Sequence, residues 1–585
     1  MNPDALADER PSAQTPERRD SDARTALVIL LVAAVLFIAL RARMISVPFE
    51  RDEGEYAYVA QRLAHGDAPY RDAFLQKTPA AAFVYAAAFA IADEGIESVH
   101  LMLYAFTAAT ALLLYRLIAA AAGRVAGAVA VLAFSLTSIE PRLLASAANT
   151  EQFALLPLTA GIAAALLARQ RHSWRWSAAS GACCLAAFWF KQVALAPAMV
   201  APLILLGGRG HRPFPDGHDR PRDATPARLA AWLAGGTVVS TIAVAYIALS
   251  DAWAAFVDCA FAHNWAYAQR VSPSDGWTAL VARLAEQWPS MFGVWLLAAI
   301  VLAWPRGAVE TALADAAGDA RPSSAAIRPR ELGLWLILSF IAVAAPMNFY
   351  HHYFVWLLPP LCGLAGIGAG RLLQAVGRTG PAAVRGKALV RRAMPTAVAV
   401  GVTALIALPT LVANRAIWLA AGPRAVSSLL YRQNAFWESV EIGRFIRSAG
   451  EPSDSVFILG SEPQILFYAN RRSASRYTIM YPLFGPYADA EGRQEEVLEE
   501  IARDRPRWIL DVRLENSLTP DKDAPTLLLE SVSAMLLPGQ GYRLSGLVVA
   551  KVQQRRFVTL FGEEARRHAD LYGLPEVGIL IFERR

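Results

Sequence analysis

The chain has 585 residues, of which 55% are hydrophobic and only 18% are charged. The hydrophobic residues stand in long blocks separated by short charged segments, which indicates a polytopic membrane protein rather than a soluble globular chain. The formal net charge of +6 does not indicate a nucleic-acid partner, because the arginines cluster between the apolar blocks, as the bias toward cytoplasmic positive charge predicts.

Residues 1–24 are polar and rich in Asp, Arg and Pro, which predicts a disordered cytoplasmic tail. The first apolar run, 26–40, has no small-residue cleavage site after it and many further runs follow, so we expect an uncleaved anchor. Ten more spans are predicted at 96–120, 125–137, 153–167, 176–190, 193–206, 229–249, 290–304, 332–347, 353–368 and 396–412. The apolar block 80–92 is far shorter than the ~20 residues that cross a bilayer, which predicts a juxtamembrane helix.

Eleven spans with a cytoplasmic N-terminus put every basic loop on the cytoplasmic side. The opposite side then receives the polar segments 52–77, 149–151, 251–288 and 351–353, together with everything after residue 412. The sequence therefore predicts a multi-pass protein whose exterior face collects the candidate functional residues.

After residue 412 the composition becomes that of a soluble domain. Strands are predicted at 455–459 and 508–512, a helix at 495–502, and further β-rich runs at 544–552 and 578–582, which suggests a small α/β domain. The predicted fold is thus an all-α polytopic membrane domain of about 11 helices, residues 25–413, with juxtamembrane helices in the outer loop 45–95. An exterior α/β domain follows at 414–585.

The segment FERDEGEYAYVAQRLAHGDAPYRDAFLQK, residues 49–77, directly follows the first span and carries an acidic pair and a distant lysine. Charges at a membrane face are costly unless they act on something, so this segment is the first candidate for a functional site. Asp52 and Glu53 could equally cap the helix that begins near Gly54. Lys77 could be an interfacial lysine whose ammonium reaches the lipid headgroups.

Further candidates lie at the outer ends of other spans. Glu151 follows Asn149 and Thr150, which as helix N-cap chemistry need no catalytic explanation. Lys191 lies between two apolar spans and is either an interfacial turn residue or a buried phosphate ligand. A third group, His351, His352 and Tyr353, includes aromatic residues that often anchor a span in the headgroup region. In the loop 251–288, the side chains of Asp258, His263 and several aromatic residues could line a sugar site, but the headgroup interpretation is favoured.

The order of these parts resembles the C-type glycosyltransferase superfamily, in particular the bacterial branch related to protein O-mannosyltransferases and to the lipid A aminoarabinose and galacturonic acid transferases. The resemblance spans roughly residues 25–480. It is carried by DEGEYAYVAQRLAHGDAPYRD, QKTPAAAFVYA, the acidic residue of ANTEQFALLPL, the lysine of FWFKQVALAP, and HHYFVWLLPP. Two departures stand out: Gln76 replaces the carboxylate of the aminoarabinose-type enzymes, and Thr78 replaces their proline.

The resemblance implies transfer of a sugar from a polyprenyl-phosphate donor to an acceptor hydroxyl of a lipid, glycan or protein, at the outer face of a bacterial inner membrane and with inversion. It implies Asp52 as base, with Glu151 also in the catalytic group, and Lys77 and Lys191 as ligands of the phosphate. The residues implied in substrate binding are Glu53, Tyr56, Gln76, Lys77, Lys191, His351, His352 and Tyr353. No metal ligand is predicted, although a divalent metal is left open as a cofactor.

A transporter or a membrane sensor with an exterior domain is the alternative class. Transporters usually show paired internal repeats with interrupted helices, and no repeat is visible in this sequence. The charged candidates also collect at one face rather than at mid-membrane depth, which favours a reaction at the membrane surface.

Overall fold

The computed structural model describes residues 16–207, 225–303, 326–378, 388–551 and 556–585. The first half of the membrane domain contains α1 (Pro16–Met44), α2 (Arg51–Ala64), α3 (Ala80–Ile91), α4 (Ile96–Ala122), α5 (Arg124–Thr137), α6 (Thr150–Arg171), α7 (Trp174–Phe190), α8 (Leu195–Ala198) and α9 (Val200–Leu206). The second half contains α10 (Thr225–Leu249), α11 (Trp253–Val257), α12 (His263–Ala268), α13 (Pro273–Ala303), α14 (Pro329–Ala344), α15 (Leu358–Arg378) and α16 (Ala388–Ala413). Short 3₁₀ turns at Pro141–Leu143, Gln192–Ala194 and His351–Leu357 and a π turn at Asp258–Ala262 join some of them.

Seven helices of the described ranges are long and apolar enough to cross a membrane: Asp20–Met44, Ile96–Ala122, Thr150–Arg171, Thr225–Leu249, Pro273–Ala303, His351–Val376 and Thr396–Ala413. Each matches one predicted span. The other four predicted spans lie on shorter helices, so the count of eleven is not confirmed. For example, α5 has 14 residues and a length of about 21 Å, which is less than the ~30 Å hydrocarbon core of a bilayer.

The N-terminal tail is shorter than the sequence predicts. Residues 1–15 lie outside the described residues, but α1 already begins at Pro16, so residues 16–24 are helical rather than disordered. The charged residues before the apolar run are compatible with helix, and the first turns continue the helix of the span itself. The predicted juxtamembrane helix at 80–92 is found as α3, with 12 residues.

The C-terminal region begins after Ala413, where α16 ends. Its helices are α17 (Arg415–Trp418), α18 (Pro423–Tyr431), α19 (Phe436–Ala449), α20 (Pro463–Ala469), α21 (Ala490–Asp504), α22 (Glu515–Leu518), α23 (Leu527–Met535) and α24 (Gly562–Tyr572). Its strands are β1 (Ser455–Leu459), β2 (Arg472–Ser473), β3 (Trp508–Arg513), β4 (Tyr542–Lys551), β5 (Arg556–Phe561) and β6 (Gly578–Arg584). The predicted small α/β domain is therefore confirmed.

The six strands form one mixed sheet in the order β2-β1-β3-β6-β4-β5. Strand β1 is parallel to both β2 and β3, whereas β6 and β4 pair antiparallel with their neighbours. All five residues of β1 are buried, as expected for a central strand covered on both faces. The strand that follows β1 in the chain, β2, lies on one side of it, and β3 lies on the other side. The loops after the parallel strands β1 and β3 therefore meet at one edge of the sheet.

That edge of the sheet packs against α2 of the membrane domain. Arg51 forms an ion pair with Glu462, which follows β1, with 2.6 Å between Nη2 and Oε1. Gly54 allows the close approach, because a Cβ added there would lie 2.6 Å from the backbone nitrogen of Gln464. The Tyr58 hydroxyl accepts a hydrogen bond of 2.8 Å from the Ser473 N–H. The C-terminal domain therefore holds the helix that carries Asp52.

Candidate active site

Helix α2 begins with a reciprocal cap that presents the acidic residues of its first turn. Glu50 is the N-cap, its side chain accepts a hydrogen bond from the Glu53 N–H, and the Glu53 side chain accepts one from the Glu50 N–H. This is a capping box built from two glutamates. Asp52 stands between them on a helix whose start is firmly fixed.

The carboxylate of Asp52 is half-buried and has neither a hydrogen bond nor an ion pair among the described residues. Burial acts to raise the pKa of Asp52, but the side chains of Lys77, His352 and Lys191 outweigh burial and hold that pKa below its ordinary value. Asp52 is thus an ionised group with open hydrogen-bonding capacity, near two lysines and a histidine.

Glu53 points away from this group of charges. Its Oε1 accepts hydrogen bonds from the Ala148 N–H at 2.6 Å and from His100 Nε2 at 3.1 Å, and the side chain is fully buried. These contacts tie α2 to α4 and to the segment before α6. Of the interpretations open from the sequence, the observed contacts support capping and positioning, and the role of Glu53 in substrate binding stays a prediction.

The Gln76–Lys77 turn lies opposite Asp52 and is fixed through its backbone. Asn264 Nδ2 donates to the Gln76 carbonyl at 2.7 Å, and the Tyr70 hydroxyl donates to the Lys77 carbonyl at 3.0 Å. The buried Lys77 ammonium donates to Gln76 Oε1 at 2.9 Å. Burial acts to lower the pKa of Lys77, but nearby carboxylates, first Asp52, raise it above its ordinary value, so the lysine is a stable cation.

Glu151 and Lys191 form a buried ion pair at the outer ends of α6 and α7. Thr150 Oγ1 donates to the second oxygen of Glu151 at 2.9 Å. His352 Nε2 lies 3.8 Å from Glu151 Oε1, and the Lys191 ammonium lies 4.1 Å from the centre of the Tyr353 ring. Four of the sequence-predicted residues are therefore brought together, from three separate parts of the chain.

The side chains of the two adjacent histidines point in different directions. His351 turns outward, where its Nε2 lies 3.0 Å from Glu286 Oε2 and 2.9 Å from Arg283 Nη1. His352 turns inward to Glu151. The structure thus brings His352 into the cluster and leaves His351 outside it.

Tyr56 is also buried beside the acidic residues and packs edge-on against Tyr85, with ring centres 5.8 Å apart. Burial raises the pKa of Tyr56 well above its usual value, and the carboxylate of Asp52 adds to the effect. The phenol therefore stays neutral and can donate a hydrogen bond.

The loop 251–288 mainly connects domains. Asp258 forms an ion pair of 3.0 Å with Arg493 of the C-terminal domain. His263 is buried between Phe74 and Tyr487, with ring centres 5.9 and 4.9 Å away. Burial lowers the pKa of His263 to about 3, so its ring is neutral. These contacts hold the loop in place, and the choice between a sugar site and a headgroup position for its aromatic residues stays a prediction.

Sequence reasoning missed three parts of this site. Arg51 and Glu462 join α2 to the C-terminal domain, and no local motif links positions so far apart in the chain. Asn264 fixes the Lys77 turn from a loop whose position the sequence does not indicate. Glu55 is a fully buried carboxyl on α2, and its spacing of three residues from Asp52 on a helix was the available signal.

In the part of the chain that the structure describes, no group of three or more His, Cys, Asp and Glu side chains is arranged to hold a metal ion. The chemistry of the cluster is that of one open carboxylate, two lysines and a histidine. Such a set suits a reaction in which a proton is accepted and an anion is held.

Comparison with known proteins gives one family match and several structural matches. Residues 76–214 match the family described as dolichyl-phosphate-mannose-protein mannosyltransferase. The structure of ArnT from Cupriavidus metallidurans bound to undecaprenyl phosphate matches with a TM-score of 0.54 and 17% identity, over 91% of this chain and 97% of that one. The apo ArnT structure gives a TM-score of 0.54 and 16% identity, over 92% and 98%. No curated protein sequence gives a significant match.

The archaeal oligosaccharyltransferase AglB from Archaeoglobus fulgidus gives a TM-score of 0.45 at 12% identity, over 92% of this chain and 74% of that one, which is too low to establish a shared fold. The fold of this protein is thus ArnT-like. Together with the matching segment 76–214, this confirms the resemblance to the C-type glycosyltransferase superfamily.

Proposed function

We propose that this protein is an integral-membrane glycosyltransferase. It moves a sugar from a polyprenyl-phosphate donor to an acceptor hydroxyl at the outer face of the bacterial inner membrane, with inversion at the anomeric carbon. The observation that carries the proposal is the open, ionised carboxylate of Asp52 beside the cations Lys77 and Lys191 and the imidazole of His352. The ArnT-like fold and the undecaprenyl phosphate bound in one ArnT structure support this donor class.

Asp52 is the base in this reaction. The acceptor oxygen attacks the anomeric carbon from the face opposite the phosphate, its proton passes to the Asp52 carboxylate, and the bond between the anomeric carbon and the phosphate oxygen breaks. The bonding electrons leave with the polyprenyl phosphate. A carboxylate whose pKa lies below ~4 is a weak base for a hydroxyl, so proton transfer is late and much of the rate comes from positioning.

Lys77 and Lys191 hold the phosphate and stabilise the negative charge that develops on it as the bond breaks. Both ammonium groups are buried, so their attraction for an anion is weakly screened. A phosphate already leaves readily, which is why no acid is needed to protonate the departing oxygen.

Glu151 acts on the cations rather than on the sugar. It pairs with Lys191, lies near His352, and so orients two groups that face the phosphate. Tyr353 packs its ring on the Lys191 ammonium and restricts the lysine further. His351, which is engaged with Glu286, has no part in this arrangement.

The test is a donor panel offered to the purified full-length protein in lipid nanodiscs. Undecaprenyl-phosphate sugars and the corresponding nucleotide sugars are incubated separately with the protein and an extract of cell-envelope acceptors, and release of undecaprenyl phosphate or of the free nucleotide is measured. We expect consumption of a lipid-linked sugar and none of the nucleotide sugars. Consumption of nucleotide sugars alone would overturn the proposal.

A matched pair of variants controls for background hydrolysis. Asp52→Asn removes the base, whereas Asp67→Asn changes a carboxylate of the same outer loop that pairs with Arg62. The donor should be consumed by the wild type and by Asp67→Asn, and not by Asp52→Asn. Equal release by all three proteins would place the chemistry outside this site.

A further inference from the structure

The carboxyl group of Glu55 is fully buried on α2, three residues after Asp52 and therefore on the same side of the helix. Its Oε1 accepts a hydrogen bond from the Gln76 N–H, with 3.3 Å between the heavy atoms. Its Oε2 has no hydrogen-bond partner among the described residues. A buried polar atom left in this way costs free energy, so Glu55 is poorly explained as a stabilising residue.

The atom that Glu55 binds belongs to the turn that presents Lys77. Asn264 donates to the Gln76 carbonyl and Tyr70 donates to the Lys77 carbonyl. The hydrogen bond from the Gln76 N–H to Glu55 is the third contact that holds the backbone of this turn. Of the three contacts, only that of Glu55 comes from the helix that also carries Asp52. Glu55 thus joins the proposed base and the proposed phosphate ligand through one side chain.

We propose that Glu55 is a positioning residue for donor binding, which fixes the Lys77 turn against α2 by accepting the Gln76 N–H. This inference rests on the proposed function of Lys77 as a phosphate ligand. Glu55 itself touches neither sugar nor phosphate. Its effect passes through the backbone of residues 76 and 77 to the ammonium group.

The experiment measures binding of undecaprenyl phosphate to the full-length protein in nanodiscs, together with the melting temperature of each variant. Glu55→Leu removes the acceptor, and Glu55→Gln keeps an oxygen that can accept the Gln76 N–H. Gln61→Leu is the matched control, since Gln61 is buried on the same helix but bonds to Glu94 and to the Phe467 carbonyl.

We expect Glu55→Leu to weaken binding about fivefold, the equivalent of one hydrogen bond, and Glu55→Gln to restore it. The melting temperature of Glu55→Leu should equal or exceed that of the wild type, because an unpaired buried oxygen is removed. A merely structural role would give the reverse, a lower melting temperature with unchanged affinity. In a Lys77→Ala background, Glu55→Leu should have no further effect on binding.

Three results would overturn the inference. One is equal affinity in Glu55→Leu and the wild type. Another is an equal loss of affinity in Gln61→Leu. The third is a loss of affinity on Glu55→Leu that is as large in the Lys77→Ala background as in the wild type. If the wild type does not bind undecaprenyl phosphate, the proposed function fails as well, which separates that outcome from a failure of Glu55 alone. Should Glu55→Leu not fold, the comparison of Glu55→Gln with Glu55→Ala serves the same purpose.

Discussion

Lys191 donates a hydrogen bond to Glu151, and both side chains of this ion pair are buried. Removing one partner of a buried pair leaves the other charge uncompensated and costs about 3–5 kcal/mol, whereas removing both is much less costly. Lys191→Met and Glu151→Gln should therefore each lower the melting temperature, and the double variant should recover most of the loss. Thermal unfolding in nanodiscs checks this order.

Donor binding should follow a different order from stability in the same variants. Lys191→Met removes a proposed phosphate ligand, so the double variant should remain defective in undecaprenyl phosphate binding although its stability is restored. Glu151→Gln should lose less affinity than Lys191→Met, since the ammonium remains. Recovery of binding in the double variant would show that Lys191 has only a structural role.

The contact between α2 and the C-terminal domain predicts a steric effect close to the proposed base. A Cβ at Gly54 would lie 2.6 Å from both Cβ and the backbone nitrogen of Gln464, so Gly54→Ala must displace the helix from α20. We expect turnover to fall at least tenfold, because Asp52 lies two residues away and sub-ångström positioning controls the rate. Gly492→Ala is the control, because nothing lies within 4 Å of that position on α21, and it should leave turnover unchanged.

The pKa of Glu55 predicts a pH dependence of stability. Burial raises this pKa to about 7, against an opposing effect of Lys77, while in the unfolded chain the group titrates near its ordinary pKa of 4.5. Between pH 4.5 and about pH 7 the unfolded state releases the proton and the folded state keeps it, so this contribution to stability is complete below pH 4.5 and is lost as the pH rises to about 7.

Glu55→Gln has no such titration, so its melting temperature relative to the wild type should rise between pH 5 and pH 8. A pKa shift of this size changes the free energy of unfolding by roughly 3 kcal/mol over the full titration. Melting curves of both proteins across this range are the measurement. A constant difference between the two proteins at all these pH values would show that the Glu55 carboxyl is not perturbed by burial.

The sequence was informative where the physical cause is local. The strand at 455–459 was predicted with the observed bounds, because the four consecutive apolar residues 456–459 before a glycine fit a buried strand. Asp52 and Lys77 were chosen because charge at a membrane face is costly. In contrast, the sequence could not decide between His351 and His352, since adjacent residues of a 3₁₀ turn point in different directions and only packing determines which one faces Glu151.

Other features of the structure could not be predicted from the sequence, because they depend on tertiary contacts or on the length of a helix. Glu53 was grouped with the binding residues, but its contacts with His100 and Ala148 depend on segments 47 and 95 residues away along the chain. The count of eleven spans is not confirmed, because four of the predicted runs lie on helices shorter than a bilayer's core and an apolar run does not reveal where a helix ends. Glu55 was missed because its partner Gln76 lies on a loop whose position follows only from the fold.

The central claim is that Asp52 acts as the base of a sugar transfer, and the most direct test is Asp52→Asn with binding and turnover measured on the same nanodisc sample. Asparagine has nearly the same shape but cannot accept the proton, so we predict that the donor still binds within about threefold of the wild type while turnover falls by about 10²–10⁴. Full turnover in Asp52→Asn would contradict the account, and so would loss of donor binding with turnover unaffected at saturating donor.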